Sequence, residues 1–148
     1  MEIEKENITE FINSKFPDLK VDKSTLYVVS TPIGNLEDIS FRAIYTLKNV
    51  DLIATEDTRV ASIILHHYGI KQKSISYYSH VENSKVEYIT NFIKEGNSVA
   101  LISDAGTPCI SDPGSILVNK CIEENIDVVS VPGASSLMHS LVLSGFKN

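Results

Sequence analysis

The feature that most constrains this chain is an alternation. Short, nearly unbroken apolar runs take turns with longer stretches whose apolar residues recur every three or four positions. The runs are Leu26 to Val29, Asp51 to Ala54, the weaker and serine-interrupted Ser74 to Tyr77, Ser98 to Ile102 and Asp127 to Val131. Between them, Ile39, Ala43, Ile44 and Leu47 mark one helical face, and Ile63, Ile64 and Leu65 a second. Val86, Ile89, Phe92 and Ile93 mark a third, and Ile116, Leu117, Val118, Cys121 and Ile122 a fourth. Leu137, Met138, Leu141 and Val142 continue the pattern beyond the last run. Strands that are apolar throughout need cover on both sides, and helical crossovers between them give parallel pairing. The pattern predicts an α/β fold, a five-stranded and mostly parallel sheet with helices on both faces. Gly69 and Gly96 are placed as helix C-terminal caps. Ser84-Lys85-Val86-Glu87 fits a capping box at the start of the third crossover helix.

The 148 residues, 43% of them hydrophobic, suit one domain with a core of its own. Residues 1–24 precede the alternation and read as an N-terminal extension to a domain over 25–148. Ile8, Phe11 and Ile12 have helical spacing, Phe16 follows four residues on, and Pro17 interrupts. A short surface helix is expected there, with a partner-docking helix as the alternative.

Polar residues collect after the first, second, fourth and fifth runs, which places four loops at the carboxyl edge of the sheet. In open α/β sheets that edge binds ligands. The longest of these loops, Ser103 to Gly114, is rich in Gly, Pro, Ser, Thr and Asp. Gly106 and Gly114 let backbone approach a ligand, and Pro108 and Pro113 stiffen the loop. On this reading a side chain at Gly106 would harm binding more than stability. The first loop, Ser30 to Asn35, has a single glycine, so it is neither a G-x-G-x-x-G fingerprint nor a P-loop. Glu56 stands where a Rossmann protein places its ribose-binding acid, but the glycine pattern that should accompany it is absent. Asp57 or Thr58 suits a helix N-cap. Asp104 offers a carboxylate to an amine or a ribose hydroxyl. Arg59 has two readings, a phosphate contact or a surface ion pair with Asp57 or Glu56. His80 likewise reads as an aid to deprotonation or as a structural histidine. His66, His67 and His139 fall on helical patterns and read as structural.

Cys109 and Cys121 form neither a metal spacing nor a disulfide framework. The formal charge of -6 argues against nucleic-acid binding by this domain unaided. The acidic N-terminus has no apolar signal core, and no apolar run reaches the length of a membrane span. A cytoplasmic protein without a membrane partner is expected.

Four stretches taken together carry a resemblance. They are Thr31-Pro32-Ile33-Gly34-Asn35-Leu36, Glu56-Asp57-Thr58-Arg59, the Ser103 to Gly114 loop, and Pro132-Gly133-Ala134-Ser135-Ser136. In this order they resemble the small-subunit ribosomal RNA (cytidine-2′-O)-methyltransferase family, within the tetrapyrrole-methylase-like superfamily. The resemblance runs from about Leu26 to the end of the chain. It departs at residues 1–24 and at Val81, where Asn is expected. It implies an S-adenosylmethionine (SAM) dependent enzyme, with Ile33, Asp104, Gly106, Thr107, Ile110, Ser135 and Ser136 as cofactor contacts. Glu56, Asp57, Arg59, His80 and Glu82 become candidates for substrate contact, with small-subunit rRNA as partner and a homodimer as assembly. No general base and no metal ligand is identified. The resemblance also implies a second α/β domain after Ser144-Gly145-Phe146, so this chain corresponds to an N-terminal half and is expected to be inactive alone. Two alternatives stand beside it, a tetrapyrrole (corrin or porphyrin) methylase and a non-catalytic flavodoxin-like binding domain. The loops at Thr31 to Asn35 and Ser103 to Pro108 fit the first of these poorly.

Overall fold

The computed structural model describes residues 7–78, 82–110 and 113–146. Its strands are β1 (Thr25–Val29), β2 (Leu52–Thr55), β3 (Ser74–Ser76), β4 (Val99–Ile102) and β5 (Asp127–Val131). Its helices are α1 (Asn7–Lys15), α2 (Phe41–Asn49), α3 (Thr58–His67), α4 (Glu82–Lys94), α5 (Ser115–Glu123) and α6 (Ser136–Leu143), with a 3-10 turn at Leu36–Asp38 before α2. All strand pairings are parallel, in the order β3-β2-β4-β1-β5.

That order explains the composition of the strands. β4 is central and β2 is flanked on both sides, and every residue of each is buried. Side chains of alternating residues enter two cores. One face of the sheet gives Tyr27, Val29, Ile53, Ala100 and Ile102 to a core shared with α1, α2 and α3. The other gives Leu26, Leu52, Ala54, Val99 and Leu101 to a core shared with α4 and α5. Cover is uneven at one edge. β5 is mostly exposed apart from Val131, and α6 buries none of its residues.

Two local expectations need correction. The extension is more than a surface helix, since Ile12 of α1 is 1% exposed and lies in the first core, with Leu19 and Val21 packed against it. Phe11 and Phe16 rest on Phe41 of α2, ring centroids 5.6 and 5.8 Å apart. The capping box at Ser84 does not open α4, which is already helical at Glu82. Gly69 does follow α3 with φ +62°, the left-handed stop expected of a glycine there.

Candidate active site at the centre of the sheet edge

The face to which the connections leave changes around β4. The loops after β1 and β2 lead to α2 and α3 on one face, whereas the loop after β4 leads to α5 on the other. Neighbouring loops that leave to opposite faces open a crevice at the carboxyl ends of their strands. The strand order therefore puts a crevice on each side of β4, with the Ser103–Gly114 loop between them.

Hydrogen bonds fix these loops to one another. The backbones of Thr31 and Gly106 form an antiparallel bridge, with N–H to O distances of 2.9 and 3.1 Å. The Ser30 and Thr107 hydroxyls meet at 2.8 Å. Across β4, the Asp57 N–H donates to Asp104 Oδ1 at 3.2 Å. The β5 loop closes on the β1 loop so tightly that a Cβ at Gly133 would lie 3.0 Å from that of Ser30. The four loops thus form one continuous rim, in the order β2, β4, β1, β5.

Asp57 is the N-cap of α3, and its carboxylate accepts from the Arg59 N–H at 2.8 Å. The same carboxylate binds the Arg59 guanidinium through Nε and Nη2, the shortest contact being 2.6 Å. These bonds from the Arg59 side chain and backbone pull the Asp57 carboxyl down to about 2. Reciprocally, the Asp57 carboxylate raises the guanidinium. Of the two readings of Arg59, the ion pair is realised, yet its side chain stays 90% exposed. It is a cation held in a fixed place at the rim.

Three hollows follow the rim. The first, of about 430 Å³, lies at the ends of β2, β3 and β4 and is walled by Glu56, Arg59, Ser76, Tyr78 and Asp104. The second, of about 210 Å³, lies between the β1 loop and α3, with Pro32, Leu36, Ile63, Asp104 and Ala105 in its lining. The third, of about 510 Å³, is formed by Ile33, Asp38, Gly133, Ala134 and His139. Asp104 is shared by the first two.

Among the expected cofactor contacts, Asp104, Gly106, Thr107 and Ile33 come together on the β1 and β4 loops. Ser135 and Ser136 sit just beyond Gly133 and Ala134, where the Ser135 hydroxyl caps α6 by accepting from the Met138 N–H at 3.4 Å. Ile110 is 62% exposed and lines none of the three hollows. Glu56, Asp57 and Arg59 gather at the first hollow. His80 lies outside the described residues, and Glu82 is described only through its backbone, which opens α4.

The glycines of the long loop serve the loop itself. Gly106 is buried at φ +82° within the bridge to Thr31. A Cβ at Gly114, at φ +135°, would lie 2.7 Å from both Leu101 Cδ2 and Cys109 Sγ. A side chain at Gly106 would be strained at that φ and would lie 3.3 Å from Ile33 Cγ2, so a cost in stability is expected there beside any cost in binding.

Sequence reasoning missed Ser30 and Thr31 as the partners of the long loop. Their polarity at the end of an apolar run was the available signal, and both are at most 2% exposed. It also missed Tyr78 and Ser76 in the first hollow and His139 in the third. Nothing in a helical pattern signals that its first turn faces a crevice.

The comparisons with known proteins agree with this geometry. The family model of the tetrapyrrole (corrin/porphyrin) methylases matches residues 25–147. The chain belongs to the tetrapyrrole methylase family. The match takes in all four rim loops and leaves out α1. Among curated relatives, the chain is 49% identical to "Ribosomal RNA small subunit methyltransferase I" of Halalkalibacterium halodurans, over 84% of this chain and 43% of that protein. It is 54% identical to the protein of that name from Hydrogenobaculum, over 81% and 53%, and 51% to that of Haemophilus influenzae, over 81% and 42%. The chain spans about half the length of these relatives. A solved uroporphyrin-III-C-methyltransferase of Thermus thermophilus superposes with a TM-score of 0.63 at 18% identity, covering 84% of this chain and 53% of that one. A cobalamin-synthesis-related protein of Corynebacterium diphtheriae gives 0.60 at 18%, over 83% and 58%. Both share the methylase fold. Among the described residues, no helix is long and apolar enough to cross a membrane, and no cluster of His, Cys, Asp and Glu is arranged to hold a metal ion.

Proposed function

We propose that this chain forms the N-terminal half of a SAM-dependent methyltransferase acting on the 2′-hydroxyl of a cytidine ribose in small-subunit rRNA. The observation that carries the reading is the rim itself. The stretches that fill both crevices beside β4 lie within a region 49–54% identical to proteins named for ribosomal RNA methylation.

The residues present fit such a cofactor. Asp104 supplies a half-buried carboxylate beside a backbone bridge, suited to accepting from ribose hydroxyls. Pro32 and Ile33 give apolar surface on one side, and Gly133 and Ala134 bring backbone close on the other. When bound, SAM supplies a methyl group on a sulfonium, ready for in-line displacement. The protein's task is then mainly to hold two ligands in register. The Thr31–Gly106 bridge and the Ser30–Thr107 bond make the rim rigid enough for it. Thr107, Ile110, Ser135 and Ser136 complete the proposed cofactor contacts. His80 and Glu82 remain substrate-side proposals with Glu56, Asp57 and Arg59.

A crevice open on one side leaves a ligand partly in water. The exposed apolar edge formed by Leu137, Leu141, Val142 and Phe146 borders that opening. We assign the second wall to the additional length that the relatives possess. A basic surface for rRNA must also come from outside this chain, whose charge is -6. A homodimer in the cytoplasm completes the proposal. The test is calorimetric titration of the full protein with SAM, followed by tritiated methyl transfer to small ribosomal subunits lacking the modification. Saturable SAM binding with label in a cytidine ribose is expected. Labelling of a tetrapyrrole in place of RNA, or no SAM binding, would overturn the reading.

A further inference from the structure

The formal charge of -6 hides a local departure from it. Residues 58–81 hold three of the chain's 13 Lys and Arg residues, Arg59, Lys71 and Lys73, and none of its 19 Asp and Glu residues. The fold lays the described part of this stretch along one border of the domain. α3 contacts β3, and β3 is the last strand of the sheet on that side. Arg59, Ser62, Ile63 and His66 are exposed, at a spacing that puts them on one face of α3. Arg59 and His66 are about 10 Å apart along the helix axis. Beyond Gly69 the chain turns to Lys71 and Lys73, both exposed. Three hydrogen bonds fix that turn. The Ile70 N–H donates to the Leu65 carbonyl at 2.7 Å, Gln72 Nε2 to the Lys48 carbonyl at 2.6 Å, and the Ile53 N–H to the Lys73 carbonyl at 2.9 Å. Elsewhere the lysines are answered within the chain. Lys20, Lys23, Lys94 and Lys120 each lie 2.6–3.0 Å from a carboxylate oxygen. Lys71 and Lys73 form no ion pair among the described residues. One exposed lysine is ordinary. Two on a fixed turn, in line with Arg59 and with no acid in the stretch, make a strip of one sign on an acidic chain.

We propose that the α3–β3 border is a phosphate track, on which the rRNA strand rests its backbone against Lys71 and Lys73 and continues past the outer face of α3 to Arg59 at the rim. The inference rests on the proposed function and adds to it the side from which the RNA approaches. Phosphate contacts fix register and direction and carry no sequence information. The border suits that role, because its cations stand on a braced turn and at a helix N-terminus, and the strip ends beside the crevice. Between those ends, Ser62 and His66 offer hydrogen bonds to phosphate or sugar, and Ile63 offers apolar surface. The wider field that draws rRNA in still belongs to the rest of the protein. These lysines supply short-range contacts that aim the strand. An acidic protein segment would meet the same charges, but the strip leads to the site proposed for RNA.

The test uses the full protein, SAM and small ribosomal subunits lacking the modification. The double variant Lys71→Gln, Lys73→Gln should raise KM for subunits by about two- to 30-fold, the range for two exposed charge contacts. Its kcat and SAM affinity should stay at wild-type values. The slope of log binding constant against log salt should become shallower by about 1.4, at roughly 0.7 for each contact with a single strand. The double variant Lys15→Gln, Lys20→Gln changes net charge equally at exposed positions near α1 and should leave KM and slope unaltered. Wild-type KM and slope in the first variant would overturn the inference while leaving the proposed function standing. Equal losses in both variants would also overturn it, since net charge alone would then explain them. Failure of the wild-type protein to methylate subunits would overturn both. If the first variant does not fold, acetylation of the wild-type lysines, read by mass spectrometry, answers the same question. Small-subunit rRNA stripped of its proteins should protect Lys71 and Lys73 and leave Lys15 reactive. Lysines 71 and 73 that stay reactive would refute the track. Protection by intact subunits alone would assign the border to a ribosomal protein and refute it equally.

Discussion

Asp104 is asked to do two things, and a pair of substitutions separates them. Its Oδ1 accepts from the Asp57 N–H at 3.2 Å, which ties the β2 loop to the β4 loop. It also faces two of the three hollows. Asp104→Ala removes an acceptor from a buried-edge backbone donor. A hydrogen bond to a charged group contributes about 1.5–3 kcal/mol when well formed. At this length and half-burial the lower end applies, so a loss of about 1 to 1.5 kcal/mol in urea unfolding is expected. Asp104→Asn keeps the oxygen and discards the charge, so it should recover most of that stability. Binding should behave otherwise. A ribose hydroxyl held by a carboxylate loses its charge-assisted bond in both variants, which weakens SAM by about 1–3 kcal/mol, or roughly five- to 150-fold in Kd. The assays are urea denaturation and SAM calorimetry on the full protein. Asn at position 104 with wild-type SAM affinity would remove the carboxylate from the cofactor site. Ala at position 104 with wild-type stability would show that the bond to Asp57 holds nothing together.

Gly114→Ala should destabilise by about 2–5 kcal/mol, combining overpacking against the core side chain of Leu101 with an unfavourable positive φ; a midpoint shift below that of an ordinary surface substitution would contradict the close approach. Asp51 joins three elements, accepting from Lys23 Nζ at 2.8 Å and from the N–H and hydroxyl of Ser98 at 2.7 Å each. Burial raises its carboxyl, but these bonds outweigh burial and hold it below the usual carboxylate range. A depressed carboxyl stabilises the fold above its unfolded value near 3.8 and loses that contribution as pH falls through the folded value. Asp51→Asn should therefore be less stable at neutral pH and lose less on acidification below about pH 5; parallel stability curves for the two proteins would refute the linkage.

Much of the architecture was legible because it follows from burial alone. A strand such as Val99–Ile102, apolar at every position, fits only the middle of a covered parallel sheet, and that is where β4 lies. Other features depend on partners distant in sequence. Ile12 has the same spacing in a surface helix as in a docked one. Its burial is decided by the first core, which α2 and α3 leave room for α1 to complete. Ser84 satisfies a capping pattern, yet the helix starts earlier, because local hydrogen-bonding preference is weaker than the packing of Val86, Ile89 and Ile93. Glycine in the long loop has a further reason that only the structure shows. A Gly-rich loop suggests a ligand's close approach, but at Gly114 the atoms that approach are Leu101 and Cys109.

The same contrast explains why the site residues divided as they did. Asp57 and Arg59 lie two residues apart, so their pairing was foreseeable as one of two outcomes. Tyr78 and Ser76 became part of the site only through the strand order, which sets β3 beside β2 although α3 separates them in the chain. The order also decides chemistry. With β4 at the centre, one loop borders both crevices, and the carboxylate of Asp104 lines both the hollow at the ends of β2, β3 and β4 and the one beside the β1 loop. A methyl donor and a ribose acceptor must meet within van der Waals distance for in-line transfer. On the proposed function, a sheet whose central strand ends in the shared wall would place the two ligands on either side of one loop.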